Sequence, residues 1–228
     1  MRVVVAPFLG AFRMMIRPLA QIIDQDIARA LQRIAVHETA EYVMANMRTI
    51  DSVSSASEVL SIALRNVRVA GHYLEFGVYR GSSINQIASR VSQDVYGFDS
   101  FEGLPERWRD GFDRGHFKVG RLPRVLGNVR LVKGWFEDTL PAFLRDHDGP
   151  VAFLHVDCDL YASTKTIFDS LEERIVPGTV IVFDEYFNYP GWRHGEKKAF
   201  EEFIQKTGLR YQYLVYNRTH EQVAVRIG

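Results

Sequence analysis

The stretch that most constrains this chain is residues 73–84, which has the pattern of a buried strand end, a tight glycine turn and the start of a helix. Gly77 can adopt backbone angles that are closed to residues with a Cβ atom, and Gly81 lets a ligand approach the backbone closely. Ser82 or Ser83 is expected to cap the helix that follows. Such a turn presents unpaired N–H groups at the carboxyl edge of a sheet, where α/β folds bind ligands. A purely structural turn has the same pattern, so this stretch alone leaves both interpretations open.

Strand-like and helix-like segments alternate along the rest of the chain. Residues 151–157 and 179–185 begin as apolar runs of the kind found in strands that are covered on both faces of a parallel sheet. Residues 211–215 and 222–227 suggest a closing antiparallel pair. The alternation predicts a Rossmann-like α/β fold with a mostly parallel central sheet, helices on both faces and an antiparallel C-terminal strand pair.

Residues 1–66 are expected to form an N-terminal helical extension ahead of a single structural unit at 67–228. Apolar residues at helical spacing predict one helix that ends near residue 34 and a second helix over 39–47. The apolar stripes of this extension suit core or dimer contacts, and the alternative is a lid over a substrate. We therefore expect a homo-oligomer that forms through these helices.

Charge balance and cysteine count limit the partners and the compartment. Lys and Arg together number 28, as do Asp and Glu, so the chain lacks the basic surplus that is usual for nucleic-acid binding. The one cysteine, Cys158, allows no internal disulfide, which fits a reducing, cytoplasmic location. Residues 1–12 hold an apolar run broken by Pro7 and Gly10, which we interpret as part of the fold or of an interface rather than a signal peptide. No run approaches the ~18 to 20 apolar residues of a membrane span.

Asp99 ends another predicted strand, about 20 residues after the glycine turn. Folds that bind dinucleotides or nucleosides place an acid at this point to accept hydrogen bonds from the two ribose hydroxyls. The alternative is an acid that caps a helix or stabilises a turn. Taken together with the glycine turn, the position of Asp99 favours ribose binding.

Four acids follow the two apolar strands, with Asp157 and Asp159 after the first, and Asp184 and Glu185 after the second. Uncompensated carboxylates this close together repel one another, and burying them is costly unless they are paired or bind a cation. Oxygen ligands without the His/Cys spacing of a zinc site favour a hard ion such as Mg²⁺. The alternatives are helix capping and ion pairs with arginines such as Arg193.

Four motifs occur in order along the chain, and together they cover about residues 71–203. They are LEFGVYRGSS at 74–83, GFDSFEGLP at 97–105, HVDCDLY at 155–161 and FDEY at 183–186. In these motifs the sequence resembles the macrocin O-methyltransferase family of class I S-adenosylmethionine-dependent enzymes. The turn and the acids are also similar to the catechol O-methyltransferase group, which needs Mg²⁺. One departure is that DCD and DE stand where better-known members often have DGD and DD.

The resemblance implies an S-adenosylmethionine-dependent O-methyltransferase that acts on a hydroxyl of a sugar or a glycosylated natural product. It implies S-adenosylmethionine and Mg²⁺, or another hard divalent cation, as cofactors, and 67–228 as the catalytic domain. Asp157, Asp184 and Glu185 would bind the metal. Asp157 and Asp159 would be catalytic, and Asp159 corresponds to the acid commonly considered as the general base. The implied cofactor-binding residues are Glu75, Gly77, Tyr79, Gly81, Ser82, Ser83, Asp99, Ser100, Phe101, Trp135, Phe136 and Asp157.

Two rival functions remain open. The first is a metal-dependent glycosyltransferase that uses Asp157-Cys158-Asp159, although it leaves the glycine turn and Asp99 without a role. The second is a non-catalytic nucleoside-binding module. The hypothesis of a nicotinamide dehydrogenase is weakened because residues 75–81 do not form the Gly-x-Gly-x-x-Gly pattern.

Three further expectations concern the surroundings of the site. His155 lies inside an apolar strand and is expected to be a core histidine with satisfied hydrogen bonds. Residues 112–124 form a candidate lid. An aromatic cluster after Glu185 suits either stacking on a sugar ring or the packing of a loop, with both interpretations open. Its members are Tyr186, Phe187, Tyr189 and Trp192.

Overall fold

The computed structural model describes residues 25–228, and the following bounds apply to that part of the chain. The helices are α1 (Ile27–Asn46), α2 (Ala56–Arg65), α3 (Ser82–Ala88), α4 (Phe136–Asp146), α5 (Tyr161–Leu171) and α6 (Glu196–Thr207). The strands are β1 (Ser52–Val53), β2 (His72–Phe76), β3 (Val95–Asp99), β4 (Val129–Lys133), β5 (Val151–Val156), β6 (Val180–Phe183), β7 (Tyr211–Asn217) and β8 (Val223–Ile227). The interpretation of residues 1–12, and the first part of the N-terminal helical pattern, lie outside the described residues.

The eight strands form one sheet in the order β1-β7-β8-β6-β5-β2-β3-β4. Only β8 runs antiparallel to its neighbours, β6 and β7, and all other neighbouring pairs of the described sheet are parallel. The predicted α/β fold and the predicted antiparallel C-terminal pair are thus confirmed.

The register brings four parallel strands to an end at the same level. Phe76, at the end of β2, is paired with Phe98 of β3 and with Val156 of β5. Val156 is paired in turn with Phe183, at the end of β6. Since the strands are parallel, the residues that follow them emerge at one edge of the sheet. This shared level is what gathers the glycine turn and the acids.

The sheet is covered by apolar side chains on both faces, as the two apolar runs predict. In β6, Ile181 and Phe183 belong to one core cluster, whereas Val180 and Val182 belong to the cluster on the opposite face. All four side chains are buried. Because successive side chains of a strand alternate between faces, a wholly apolar strand is stable only when both faces are covered.

The N-terminal part of the described chain differs from the two helices that the sequence predicts. A single helix, α1, continues through residues 34–39, because no glycine or proline interrupts it there. Asp26 caps it by accepting a hydrogen bond from the backbone N–H of Arg29 at 3.2 Å. The serine-rich stretch after α1 contains β1, which pairs with β7. The division between 1–66 and 67–228 stays a prediction. None of the described helices is both long enough and apolar enough to span a membrane.

Candidate active site

The glycine turn lies directly against the end of β5. Gly77 has a φ of +95°, and a Cβ atom there would overlap the carbonyl oxygen of Asp157. Its N–H still donates to the carbonyl of Phe98 at 2.9 Å, which extends the pairing of β2 with β3 by one residue. A residue with a side chain would therefore force β2 and β5 apart at the level of the acids.

The helix after the turn begins differently from the sequence-based expectation. The N-cap of α3 is Gly81, at a φ of +81°, and no side chain caps the helix, so the prediction of a cap at Ser82 or Ser83 is wrong. The left-handed backbone at this position favours glycine over serine. The hydroxyl of Ser83 instead donates a hydrogen bond to the buried carboxylate of Glu75.

Glu75 and His155 form a buried pair beneath the turn. The Nδ1 atom of His155 lies 3.3 Å from Oε1 of Glu75. Burial lowers the pKa of His155, but the hydrogen bond and negative charge of Glu75 outweigh it, so the net pKa is raised. Within the described residues, Oε2 of Glu75 and Nε2 of His155 have no hydrogen-bond partner. His155 is therefore a core histidine, as predicted, but only one of its nitrogens is satisfied.

Asp99 binds the backbone of the turn with both carboxylate oxygens. Its Oδ2 accepts hydrogen bonds from the N–H groups of Val78 and Tyr79 at 2.9 and 2.8 Å. Its Oδ1 accepts one from the N–H of Phe101 at 2.6 Å. Tyr79 and Phe101 have positive φ angles of 47° and 59°, which cost free energy in residues other than glycine. Asp99 thus stabilises two strained loop conformations at the edge of the sheet.

Three carboxylates converge beyond the ends of β5 and β6. Asp157, Asp184 and Glu185 each offer an oxygen, and these oxygens all lie within 4.8 Å of one another. Oε2 of Glu185 is buried and has no hydrogen-bond partner among the described residues. Burial raises the pKa of Asp157 and of Glu185, and the charge of Asp184 raises both further. A donor set of three carboxylates fits a hard divalent cation.

Asp159 lies beside this cluster in an unusual backbone conformation. Its φ is 66°, and it is 7% exposed. Burial and the charge of Asp184 raise the pKa of Asp159 to about 7, while the Arg109 guanidinium acts in the opposite direction. No side chain of the described region donates a hydrogen bond to its carboxylate, which leaves both oxygens available to a ligand.

A cavity of about 790 Å³ joins the turn to the acids. It is lined by Gly77, Tyr79, Asp99, Ser100, Trp135, Phe136, Asp157, Asp159, Asp184 and Glu185, all of them predicted site residues. Other predicted site residues are near but do not line it: Glu75, Gly81, Ser82, Ser83 and Phe101. Trp135 is 36% exposed, which is unusual for a tryptophan.

The candidate lid contributes one wall of the cavity. Phe112, Arg114 and Phe117 line it, together with Trp108 and Arg109 from the residues just before. The aromatic cluster after Glu185, in contrast, is packed inside the protein. Tyr186, Phe187, Tyr189 and Trp192 are all buried, which favours the packing interpretation over stacking on a sugar.

Comparison with known proteins places this site in a family. The model of the macrocin-O-methyltransferase family matches residues 37–213. The chain belongs to the macrocin-O-methyltransferase family. It is 33% identical over 143 residues to 8-demethyl-8-(2,3-dimethoxy-alpha-L-rhamnosyl)-tetracenomycin-C 4'-O-methyltransferase of Streptomyces olivaceus, covering 52% of this chain and 54% of that protein. It is 28% identical over 176 residues to demethyldecarbamoylnovobiocin O-methyltransferase of Streptomyces niveus, covering 66% of this chain and 64% of that protein.

The chain thus spans between about half and two thirds of the length of these relatives. Among solved structures, the calicheamicin methyltransferase CalS11 matches with a TM-score of 0.63 and 23% identity, over 75% of this chain and 77% of that chain. At this identity the likeness is one of fold, and it agrees with the predicted class I methyltransferase architecture.

Several residues of this family member's site escape prediction from its sequence. Arg109 donates to both carboxylate oxygens of Glu221, at 3.1 and 3.3 Å, and so joins the loop before the candidate lid to the β7–β8 turn. Gln222 donates to Oδ1 of Asp184 at 3.1 Å. Arg193, which the sequence offers as a partner for the acids, pairs with Glu38 instead. The sequence signal that points to Arg109 is the crowding of arginines at positions 107, 109, 114, 121 and 124.

Glu196 also escapes prediction, although it is fully buried beside the cluster. It is the first residue of α6. Burial and the charge of Asp159 raise the pKa of Glu196, while backbone hydrogen bonds from Glu185 and Cys158 act in the opposite direction. Nothing in the sequence distinguishes Glu196 from the exposed acids of the same helix.

Proposed function

We propose that this chain is an S-adenosylmethionine-dependent O-methyltransferase that methylates a hydroxyl of a sugar or a glycosylated natural product. The observation that carries the proposal is the single cavity in which the glycine turn, Asp99 and the three converging carboxylates meet. Family membership supports the reaction type. The names of the two Streptomyces relatives, which are O-methyltransferases of natural products, support the class of acceptor.

The proposed cofactor site uses residues of the glycine turn, of the end of β3 and of the start of α4 that line the cavity. Gly77, Tyr79 and Asp99 would hold the methionine and ribose parts, with Ser100 beside them. Trp135 and Phe136 would contact the adenine, since both aromatic side chains belong to residues that line the cavity. When bound, S-adenosylmethionine supplies an electrophilic methyl group on a sulfonium.

The remaining predicted cofactor residues do not line the cavity and would support the residues that do. Glu75 and Ser83 are linked by a hydrogen bond, and Gly81 begins the helix of the turn. Ser82 follows Gly81, and Phe101 is the residue whose N–H is bound by Asp99. We propose that this group shapes the turn and makes little direct contact with the cofactor.

The metal part of the proposal concerns Asp157, Asp184 and Glu185. Their oxygens converge, the pKa values of Asp157 and Glu185 are raised, and Oε2 of Glu185 has no hydrogen-bond partner in the described part of the chain. These features fit Mg²⁺ or another hard divalent cation. When bound, such an ion would favour ionisation of an acceptor hydroxyl and hold its oxygen in place. Gln222 would keep Asp184 oriented through its hydrogen bond to Oδ1.

Asp159 is the proposed general base. Its carboxylate lines the cavity and receives no side-chain hydrogen bond from the described residues, so it is free to bind the acceptor hydroxyl. Asp159 would accept the hydroxyl proton as the acceptor oxygen gains the methyl group. Asp157, which also lines the cavity, would help to align the acceptor with the methyl donor.

A binding assay and a transfer assay test this function. Calorimetry should detect binding of S-adenosylhomocysteine and no binding of uridine diphosphate, and the reverse result would favour the glycosyltransferase. Isotope-labelled S-adenosylmethionine should then label acceptors that carry a deoxysugar, beginning with rhamnosylated natural products. Binding without transfer to any sugar acceptor would support the nucleoside-binding module. Undiminished turnover in excess chelator would remove the metal from the proposal.

The proposal also includes a homo-oligomer and a cytoplasmic location. Ile27, Leu31 and Ile34 recur at helical spacing on α1 and are 74%, 47% and 55% exposed, which supports association between copies. Light scattering coupled to size exclusion should therefore report a mass above 26.2 kDa. A monomer at micromolar concentration would contradict this part. The single cysteine, Cys158, allows no internal disulfide, as suits a reducing compartment.

A further inference from the structure

Glu196 bridges the two loops that carry the converging carboxylates. It is the first residue of α6, and its exposed fraction is 0%. One carboxylate oxygen, Oε1, lies 3.4 Å from the backbone nitrogen of Cys158, which donates to it. The other, Oε2, accepts from the backbone N–H of Glu185 at 3.2 Å. A single side chain on a third element is thus bonded to both loops.

These two amides are the first in each loop that have no strand partner. One residue earlier, the N–H of Asp157 still donates to Phe76, and the N–H of Asp184 donates to Val156, both at 2.9 Å. The strand pairing stops there, and the next amide of each loop is bound by Glu196. Glu196 therefore continues the connection between the loops beyond the end of the sheet.

The side chain that connects the two loops is a carboxylate and not a neutral group. A buried carboxylate next to other carboxylates is costly, so a neutral side chain would be a cheaper structural connection. A glutamine, however, has only one acceptor atom, whereas a carboxylate has two and can bind both amides at once. The structure thus uses a buried carboxyl group, and not an amide, to hold the two loops at a defined separation.

We propose that Glu196 is a positioning residue that sets the separation of Asp157 from Asp184 and Glu185 for binding of a divalent cation. This inference rests on the metal site of the proposed function. Residues that orient metal ligands from behind affect the affinity for the metal by about 10- to 100-fold when they are replaced. Glu196 does not line the cavity, so it would act through the loops and not by contact with substrate.

Two substitutions separate the link from the charge. Glu196→Gln keeps the shape of the side chain but loses one acceptor. Glu196→Asp keeps the charge but is one methylene shorter, so it cannot span both amides. The matched control is Glu202→Gln, which makes the same chemical change on the same helix at a side chain that is 37% exposed. Each purified, metal-free protein is titrated with Mn²⁺ by electron paramagnetic resonance and with S-adenosylhomocysteine by calorimetry, and its melting temperature is recorded.

We expect both Glu196 variants to bind Mn²⁺ about 10- to 100-fold more weakly than the parent protein. The dissociation constant of both Glu196 variants for S-adenosylhomocysteine should stay within twofold of the parent value. Glu202→Gln should match the parent protein in both titrations. A separate loss of metal affinity is a result that a merely structural role would not produce.

Several results would overturn the inference. One such result is that Glu196→Gln binds Mn²⁺ as tightly as the parent protein does. Another is that Glu196→Asp binds Mn²⁺ normally, because the effect would then depend on charge alone. Parallel loss of both ligands, or failure of Glu196→Gln to fold, would make Glu196 a general structural residue. If the parent protein itself binds no Mn²⁺, the metal site of the proposed function fails and this inference fails with it.

Discussion

Replacing Asp99 by asparagine changes one atom of the site and has an effect that can be worked out. Oδ2 of Asp99 binds the N–H groups of Val78 and Tyr79, and Oδ1 binds the N–H of Phe101. Asparagine offers one acceptor oxygen and one NH₂ group. In either orientation of the amide, at least one backbone N–H faces another donor, and one of the two strained loops loses its support.

The magnitude follows from the hydrogen bonds that are lost. With the amide oxygen directed at the pair from Val78 and Tyr79, the bond to Phe101 is lost, and a hydrogen bond to a charged group contributes about 1.5–3 kcal/mol. If the loosened loop must be ordered again when the cofactor binds, this free energy is subtracted from binding. At about 1.4 kcal/mol per factor of ten, Asp99→Asn should bind S-adenosylhomocysteine about 10- to 150-fold more weakly.

Isothermal calorimetry with S-adenosylhomocysteine measures the effect directly. The control is Asp94→Asn, at the opposite end of β3. Its side chain pairs with Arg130 at 3.2 Å and is not among those that line the cavity. The dissociation constant of this control for S-adenosylhomocysteine should lie within twofold of that of the parent protein. A dissociation constant for Asp99→Asn within threefold of the parent value would refute the reasoning, because neither the turn nor a ribose contact would then depend on this carboxylate.

Three further substitutions test other parts of the site. Gly77→Ala should lower the melting temperature by about 4–12 °C, because the new Cβ atom overlaps Asp157 and the backbone has a positive φ. The control Gly111→Ala has a φ of +83° but lies in open space, so its melting temperature should fall only by the effect of the backbone conformation. Equal losses in differential scanning fluorimetry would contradict the packing argument. Asp159→Asn should reduce the rate of methyl transfer about 100-fold or more with S-adenosylhomocysteine affinity unchanged, and a normal rate would exclude Asp159 as the base. Asp184→Asn should weaken Mn²⁺ binding at least tenfold in a metal titration, and unchanged affinity would argue against the three-carboxylate site.

The local features of this chain were open to prediction because their causes are local. The wholly apolar composition of β5 and β6 indicates strands covered on both faces, and the acids that follow each strand are visible in the same stretch. The position of Gly77 likewise indicates a tight turn. Helix boundaries were predicted less well, because a helix such as α1 continues wherever nothing breaks it, and the apolar spacing near residues 34–39 does not reveal that continuity.

Tertiary structure alone decided how these features meet. The sequence determined the α/β alternation, the glycine turn and the acids at the ends of strands, since these depend on side-chain periodicity and on backbone freedom at single positions. Only the register between strands far apart in the chain makes β2, β3, β5 and β6 end at one level. That register leaves the amides of Cys158 and Glu185 without strand partners and so creates the place that Glu196 fills. A buried carboxylate is stabilised by whichever backbone groups the sheet leaves unpaired, and no local pattern records which groups those are.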